Sequence, residues 1–139
     1  MPYQSRDDLK KKLESPRGRN HNLVAMLDEP KKVVGMVGLH PFEGRRAHVA
    51  GLGMFVHDDH QNQGIGGHLM QAALDLADNW LNLRRLELTV HTDNKHAVHL
   101  YDKFGFVKEG TFVDYAIRDG EFIDAHTMAR VRKDCSVME

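Results

Sequence analysis

The run Phe55-Val56-His57-Asp58-Asp59-His60-Gln61-Asn62-Gln63-Gly64-Ile65-Gly66-Gly67-His68-Leu69 constrains this chain more than any other stretch. It leaves an apolar segment, crosses a polar turn and enters a region where Ile65, Leu69, Ala73, Ala77 and Trp80 recur at helical spacing. A strand must therefore pass into the main helix through a turn rich in glycine. The first N–H groups of a helix lack internal partners and carry the positive end of its dipole, so they attract anions. With Gly64, Gly66 and Gly67 bare of side chains, a pyrophosphate can rest on the amides of Gln63 to Gly67 without help from a lysine. The same glycines also suit a plain joint that packs helix on strand, and the turn alone does not separate the two readings. A Rossmann site needs Gly-x-Gly-x-x-Gly early in a parallel βαβ unit, and a P-loop needs Gly-Lys-Ser or Gly-Lys-Thr. Neither pattern occurs here.

The flanking segments alternate between strand and helix patterns. Ser5 followed by Asp7 and Asp8, with Leu9 and Leu13 one turn apart, predicts a capped amphipathic helix that ends before Pro16. Leu23 to Leu27 and Val33 to Leu39 read as a hairpin about the turn Glu29-Pro30-Lys31-Lys32, and Ala47 to Val56 as a longer strand. Gly51 and Gly53 weaken that strand's ladder or permit a bulge. Beyond the main helix come a strand, Leu86 to Val90, and a second helix, Lys95 to Phe104, with Gly105 where a left-handed cap is needed. Phe106 to Ile117 and Phe122 to Val131 then form a hairpin about Arg118-Asp119-Gly120-Glu121. The predicted fold class is α/β: one domain over residues 1–139, with a mixed, mostly antiparallel sheet and helices packed on it.

Composition excludes several function classes. The 139 residues are 41% hydrophobic and 28% charged with a formal net charge of -1, which fits one globular domain and not a basic nucleic-acid binder. No apolar run has transmembrane length, and the first residues lack the apolar stretch of a signal peptide. A single cysteine, Cys135, cannot close an internal disulfide, so the expected location is the reducing cytoplasm. The ten histidines include His96 and His99 one turn apart, but no His-Glu-x-x-His or cysteine-pair spacing accompanies them, and no metal is expected.

The pattern Gln61-x-x-Gly64-x-Gly66, followed by Asp93-Asn94 and Tyr101-Asp102-Lys103-Phe104-Gly105-Phe106, resembles the signature of the GCN5-related N-acetyltransferase (GNAT) superfamily. Asp78-Asn79-Trp80-Leu81, Glu87-Leu88-Thr89-Val90 and Asp119-Gly120-Glu121-Phe122 look most like bacterial L-amino acid N-acetyltransferases. The resemblance implies acetyl-CoA as cosubstrate, bound where the strand before the glycine turn and the strand after the main helix splay apart. It assigns backbone contacts to the pantetheine arm at Met54, Phe55 and Val56, and the pyrophosphate to Gln61, Asn62, Gln63, Gly64, Ile65, Gly66 and Gly67. It further implies that Asn94 bonds the cofactor and that Tyr101 protonates the departing thiolate. Spacing puts Asn94 and Tyr101 two turns apart on one helix face, where the plainer roles of helix cap and core aromatic also lie open.

The expected chemistry is direct attack of an amine on the thioester in a ternary complex, with no acyl-enzyme. Many relatives carry a glutamate as base on the strand before the glycine turn, and this sequence has Gly51-Leu52-Gly53 there. His48, His57, His91 and Glu87 remain as candidate bases, none of them assigned. An α-amine with a pKa near ~7.8 holds a far larger neutral fraction at neutral pH than a lysine near ~10.4, so a site lacking a dedicated base favours α-amines. Family members also begin with a further strand and helix, and the chain is expected to lack that unit. The exposed strand Leu23 to Leu27 would then invite a second subunit, giving a homodimer with no nucleic acid or membrane as partner. The alternative is a domain that binds acyl-CoA as a sensor without turnover. Acetylation of protein N-termini, polyamines or antibiotics differs only in the acceptor.

Overall fold

A computed structural model describes residues 20–28, 31–57 and 64–133. The helix expected over Ser5 to Leu13, the Glu29-Pro30 turn, the loop from Asp58 to Gln63 and Cys135 lie outside the described residues. The elements run β1 (His21–Asp28), β2 (Lys31–Pro41), β3 (Val49–Val56), α1 (Ile65–Asp75), β4 (Arg85–His91), α2 (Lys95–Lys103), β5 (Val107–Arg118) and β6 (Glu121–Val131). They build one sheet of six strands in the order β1-β2-β3-β4-β6-β5. Every neighbouring pair is antiparallel except β3 and β4, whose parallel pairing follows from the α1 crossover between them.

Strand alternation sorts the sheet into two unlike faces. Val37, Leu39, Ala50, Leu52, Leu86, Leu88, Val90 and Met128 share one face and are buried. Both helices pack there: Ile65, Leu69, Met70 and Ala73 of α1 join the same core as Tyr101 of α2 and the fully buried Phe106. Each such side chain contributes about 1.5–3 kcal/mol by leaving water, so the helices are held by this face and need little propensity of their own. The opposite face carries Met36, Phe55, Arg85, Glu87, Thr89 and His91, all of them exposed or half-buried. No described helix is long and apolar enough to cross a membrane.

Three expectations need correction. Trp80 does not continue the buried stripe of the main helix, because α1 ends at Asp75 and a π turn, Leu76–Trp80, rotates it outward to 77% exposure. Of the two readings of Gly51 and Gly53 the bulge is the one corrected: β2 and β3 stay in register from Gly35↔Val56 to Pro41↔Ala50, whereas the ladder to β4 does end at Gly51. The irregularities fall at Ala25/Met26 of β1 and twice in β5. Ala47 and His48 belong to the turn before β3, after a short 3-10 helix, Gly44–Arg46. The final hairpin forms as predicted, with Asp119 at φ 53° and Gly120 at φ 81°, the two positive angles a two-residue turn needs. β1 does lie at a sheet edge, but the larger exposed apolar surface is at the other edge, where Phe112, Val113, Tyr115, Ile117 and Phe122 stand out from β5 and β6.

Candidate active site

The site begins where the sheet comes apart. β3 and β4 pair through Val49↔Arg85, Ala50↔Leu86 and Gly51↔Glu87 and no further, although β3 runs on to Val56 and β4 to His91. Leu52 to Phe55 are bonded to β2 on one side and, among the described residues, have no strand partner on the other. A wedge with exposed backbone donors and acceptors therefore opens at Gly51 and Glu87 and widens toward α1 and α2. Met54 and Val56 are half-buried on the helix side of this wedge, while Phe55 is 52% exposed on the open face.

The first turn of α1 stands at the wide end. Gly64 occupies the cap position at φ 84° and offers no side-chain bond, and the first helical hydrogen bond runs from His68 N to Gly64 O at 3.1 Å. The N–H groups of Ile65, Gly66 and Gly67 thus have no partner among the described residues. A Cβ at Gly66 would lie 3.1 Å from Leu100 Cδ2 and 3.9 Å from Met54 and Val56 atoms. Glycine at this position lets α1, β3 and α2 converge. Gln61, Asn62 and Gln63 are outside the described residues.

Tyr101 follows Leu100 on α2 and is 7% exposed, its ring 5.9 Å from that of Phe106. Burial raises the phenol's pKa. Its hydroxyl has no hydrogen-bond partner among the described residues, yet it is not one of their fully buried polar atoms. A protonated donor with a dry ring and an unused O–H is suited to hand a proton to a ligand atom. Asn94 caps α2, its Oδ1 accepting the Ala97 N–H at 3.2 Å, which leaves both Nδ2 donors for a ligand.

The sequence matches the profile of the Acetyltransferase (GNAT) family over residues 2–106. It is 47% identical over 88 residues to the L-amino acid N-acetyltransferase of Escherichia coli, a match that covers 63% of this chain and 54% of that enzyme. A spermidine N(1)-acetyltransferase of Vibrio cholerae is 32% identical over 129 residues, covering 91% of this chain and 73% of the relative. A GNAT-family acetyltransferase structure from Streptococcus pneumoniae superposes with a TM-score of 0.75 at 35% identity, covering 82% of this chain and 68% of that one. The chain belongs to the GNAT acetyltransferase family.

The GNAT fold places the candidate bases apart. His48 lies in the turn before β3, where its carbonyl accepts the N–H groups of Arg84 and Arg85 at 2.9 and 3.1 Å. His57 closes β3, its N–H bonded to Val34 O at 2.8 Å. His91 ends β4 with its ring edge-on to Tyr115 at 6.4 Å. Glu87 sits at the apex of the wedge, where Arg46 Nη2 and Arg85 Nε donate to its Oε2 at 2.6 and 2.8 Å. Burial pushes the Glu87 pKa up, but the bonds from Arg85 and Arg46 outweigh it and leave the group below its ordinary value. Glu87 is therefore a held anion and a poor base.

Arg85 also grips Glu109 through both terminal nitrogens, at 3.0 and 2.6 Å, and these bonds, with that to Glu87, hold the guanidinium charged. Bonding to Arg85 lowers the Glu109 pKa. Sequence reasoning passed over Arg46 and Arg85. The available signal was the alternation Arg85, Glu87, Thr89, His91, which sets charged and polar groups on the face opposite Leu86, Leu88 and Val90. Among the described residues no group of three His, Cys, Asp or Glu is placed to hold a metal. A cavity of about 480 Å³ lies along α2, bounded by Lys95, His99, Lys108 and His126, and does not touch Tyr101 or the wedge residues.

Proposed function

We propose that this chain transfers the acetyl group of acetyl-CoA to the α-amine of an amino acid or a related small molecule, by direct attack in a ternary complex. The observation that carries the reading is the wedge opened where β3 and β4 part after Gly51 and Glu87, with the buried Tyr101, its hydroxyl unused, in the same core as Leu52, Leu88 and Val90. Backbone groups of Met54, Phe55 and Val56 would pair with the pantetheine amides. Gln61 to Gly67 would carry the pyrophosphate on main-chain N–H groups, a fit supported by the uncapped first turn of α1. Asn94 would add one bond through Nδ2. The amine nitrogen forms its bond to the thioester carbonyl carbon, the C–S bond breaks, and Tyr101 gives its proton to the sulfur. The phenol is regenerated as the amine's surplus proton leaves by water.

The acceptor class rests on similarity to the E. coli enzyme and on the held Glu87, which is a poor base for a lysine or polyamine. Spermidine acetyltransferases among the relatives make polyamines the competing acceptor. A homodimer and a cytoplasmic location complete the reading. Exposed apolar side chains of β5 and β6 support the dimer, and a monomer in sedimentation at high concentration overturns it.

The deciding experiment measures thiol release from acetyl-CoA with free amino acids, short peptides and polyamines, alongside Tyr101→Phe. Release that depends on an amino acid and falls in the variant supports the proposal. Preference for spermidine moves the acceptor to polyamines, and binding of acetyl-CoA without release on any amine makes the chain a non-catalytic acyl-CoA binder.

A further inference from the structure

The apex of the wedge carries a second set of groups on the face away from Tyr101. Glu87 pairs with Gly51 at the last rung, so their side-chain positions share the open face. Phe42 lies beside that rung, its Cζ 3.8 Å from where a Cβ on Gly51 would stand, and the Arg46 guanidinium sits over the Phe42 ring at 4.4 Å. Arg46 closes the circuit by donating Nη2 to Glu87 at 2.6 Å. Phe42, Arg46 and Gly51, from one short stretch, and the remote Glu87 thus ring the point where the two strands separate. Gly53, the next open-face position of β3, has no atom of the described residues within 4 Å of its Cβ direction.

The groups left over in this ring are of opposite kinds. Arg46 commits one nitrogen to Glu87 and keeps its other N–H donors, with half of its side chain (51%) exposed. Glu87 takes both arginines on Oε2, which leaves Oε1 as a free acceptor. Arg46 stacks on an aromatic ring and Glu87 is clamped from two sides, so both are preorganised and lose little entropy on binding. A fixed guanidinium beside a fixed carboxylate oxygen complements a molecule that carries a carboxylate and an amine on one carbon.

Resting on the acetyl-transfer reading, we infer that Arg46 and Glu87 form the subsite for the head of an α-amino acid. Arg46 pairs with its carboxylate, and Oε1 of Glu87 accepts an N–H of its amine. This aims the nitrogen lone pair into the wedge from the open face, while Tyr101 serves the leaving sulfur from the helix face. Glu87 orients the amine and does not deprotonate it. Arg46 is then the residue that separates amino acids from amines lacking a carboxylate.

The test compares L-methionine with L-methioninamide in wild type and Arg46→Gln. The ratio of kcat/KM values is read within each protein, so that the different basicity of the two amines and any general loss of fold cancel between proteins. Loss of a charge-assisted pair in a preorganised site predicts that the methionine/methioninamide ratio drops about tenfold to a hundredfold, mainly through the KM for methionine. Arg46→Lys, which keeps the charge and loses the fork, should recover part of the ratio. A ratio unchanged within about twofold in Arg46→Gln overturns the subsite and leaves acetyl transfer standing. Absence of thiol release with both amines in the wild type overturns the subsite, and the acetyl-transfer reading falls with it when the wider panel of amino acids, peptides and polyamines also gives none.

Discussion

The ring of Tyr101 lies 5.9 Å from the ring of Phe106 at an interplanar angle of 58°, so the phenol is packed by its body and free at its tip. Packing accounts for the ring and leaves the hydroxyl unexplained. Tyr101→Phe keeps the ring contact and removes an O–H with no partner among the described residues, so stability should change by less than about 1 kcal/mol. If the O–H protonates the thiolate, kcat falls about a hundredfold, the low end of the general-acid range, because a thiolate is already a tolerable leaving group. Chemical denaturation and steady-state kinetics on the same preparation separate the two effects, and an unchanged kcat removes Tyr101 from the chemistry.

The pH profile follows from the direction of the Tyr101 shift. Burial raises the phenol's pKa, so the acid form persists at least to its ordinary value near ~10. The rate should rise as the amine loses its proton and show no alkaline decline below about pH 10. Tyr101→Phe should keep the rising limb, which belongs to the amine. By linkage, a raised folded pKa contributes stability that is present below the unfolded value and lost only as pH passes through the folded one, so Tyr101 costs the fold nothing near neutrality. An alkaline limb near pH 8 that persists in Tyr101→Phe would belong to another acid and remove Tyr101 from that role, whereas one that vanishes in the variant would keep Tyr101 as the acid and contradict its raised pKa.

Much of the architecture was legible because it is written in local patterns. The alternation in Leu86 to Val90, the Asp119-Gly120 turn and the Asn94 and Gly105 caps each bind residues a few positions apart, and each is where the sequence put it. Trp80 misled because its helical phase holds only while the helix does, and the π turn shifts the phase at Leu76. The bend of β5 was also hidden: Asp114 takes φ 53° with its N–H bonded to Asp124 Oδ1 at 2.8 Å, a contact ten residues away. The Arg46–Glu87 pair spans 41 positions and joins the 3-10 turn before β3 to β4, and no periodicity announces it. The glycine turn before the main helix was readable as a candidate site, whereas the Arg46–Glu87 pair on the open face required the sheet.

Gly64 and Gly66 make a paired prediction. Gly64 at φ 84° is left-handed, and alanine there should cost about 1–2 kcal/mol of stability. Gly66 is helical, so alanine gains up to about 1 kcal/mol of helix propensity, which offsets the squeeze on Leu100 Cδ2 at 3.1 Å. Gly66→Ala should therefore melt close to wild type, yet its methyl crowds the convergence of α1, β3 and α2. A rise of about tenfold or more in the Kd for acetyl-CoA, read by calorimetry, is expected for Gly66→Ala. Wild-type affinity in that variant would separate the glycine turn from cofactor binding.

The turn that follows α1 is tied to β6 by an ion pair that lies outside the wedge. Asp78, in the π turn, accepts Arg130 Nη1 and Nη2 of β6 at 3.1 and 2.9 Å, and Arg132 Nη1 bonds the Asp78 carbonyl at 3.0 Å. Arg130 and Asp78 side chains are 19% and 24% exposed, so water screens the pair only in part. A forked geometry in such surroundings should be worth more than the 0–1 kcal/mol of an open surface pair and less than a fully buried one, about 1–3 kcal/mol. A double-mutant cycle with Asp78→Ala and Arg130→Ala in urea isolates the coupling from the packing that each truncation also removes. Because Asp78 lies outside the wedge, kcat on a good acceptor should stay within about twofold of wild type where the variant is folded. A coupling energy below about 0.5 kcal/mol would place the tether among ordinary surface pairs and leave the packing of Leu69, Ala73 and Ala77 to fix α1 against the sheet.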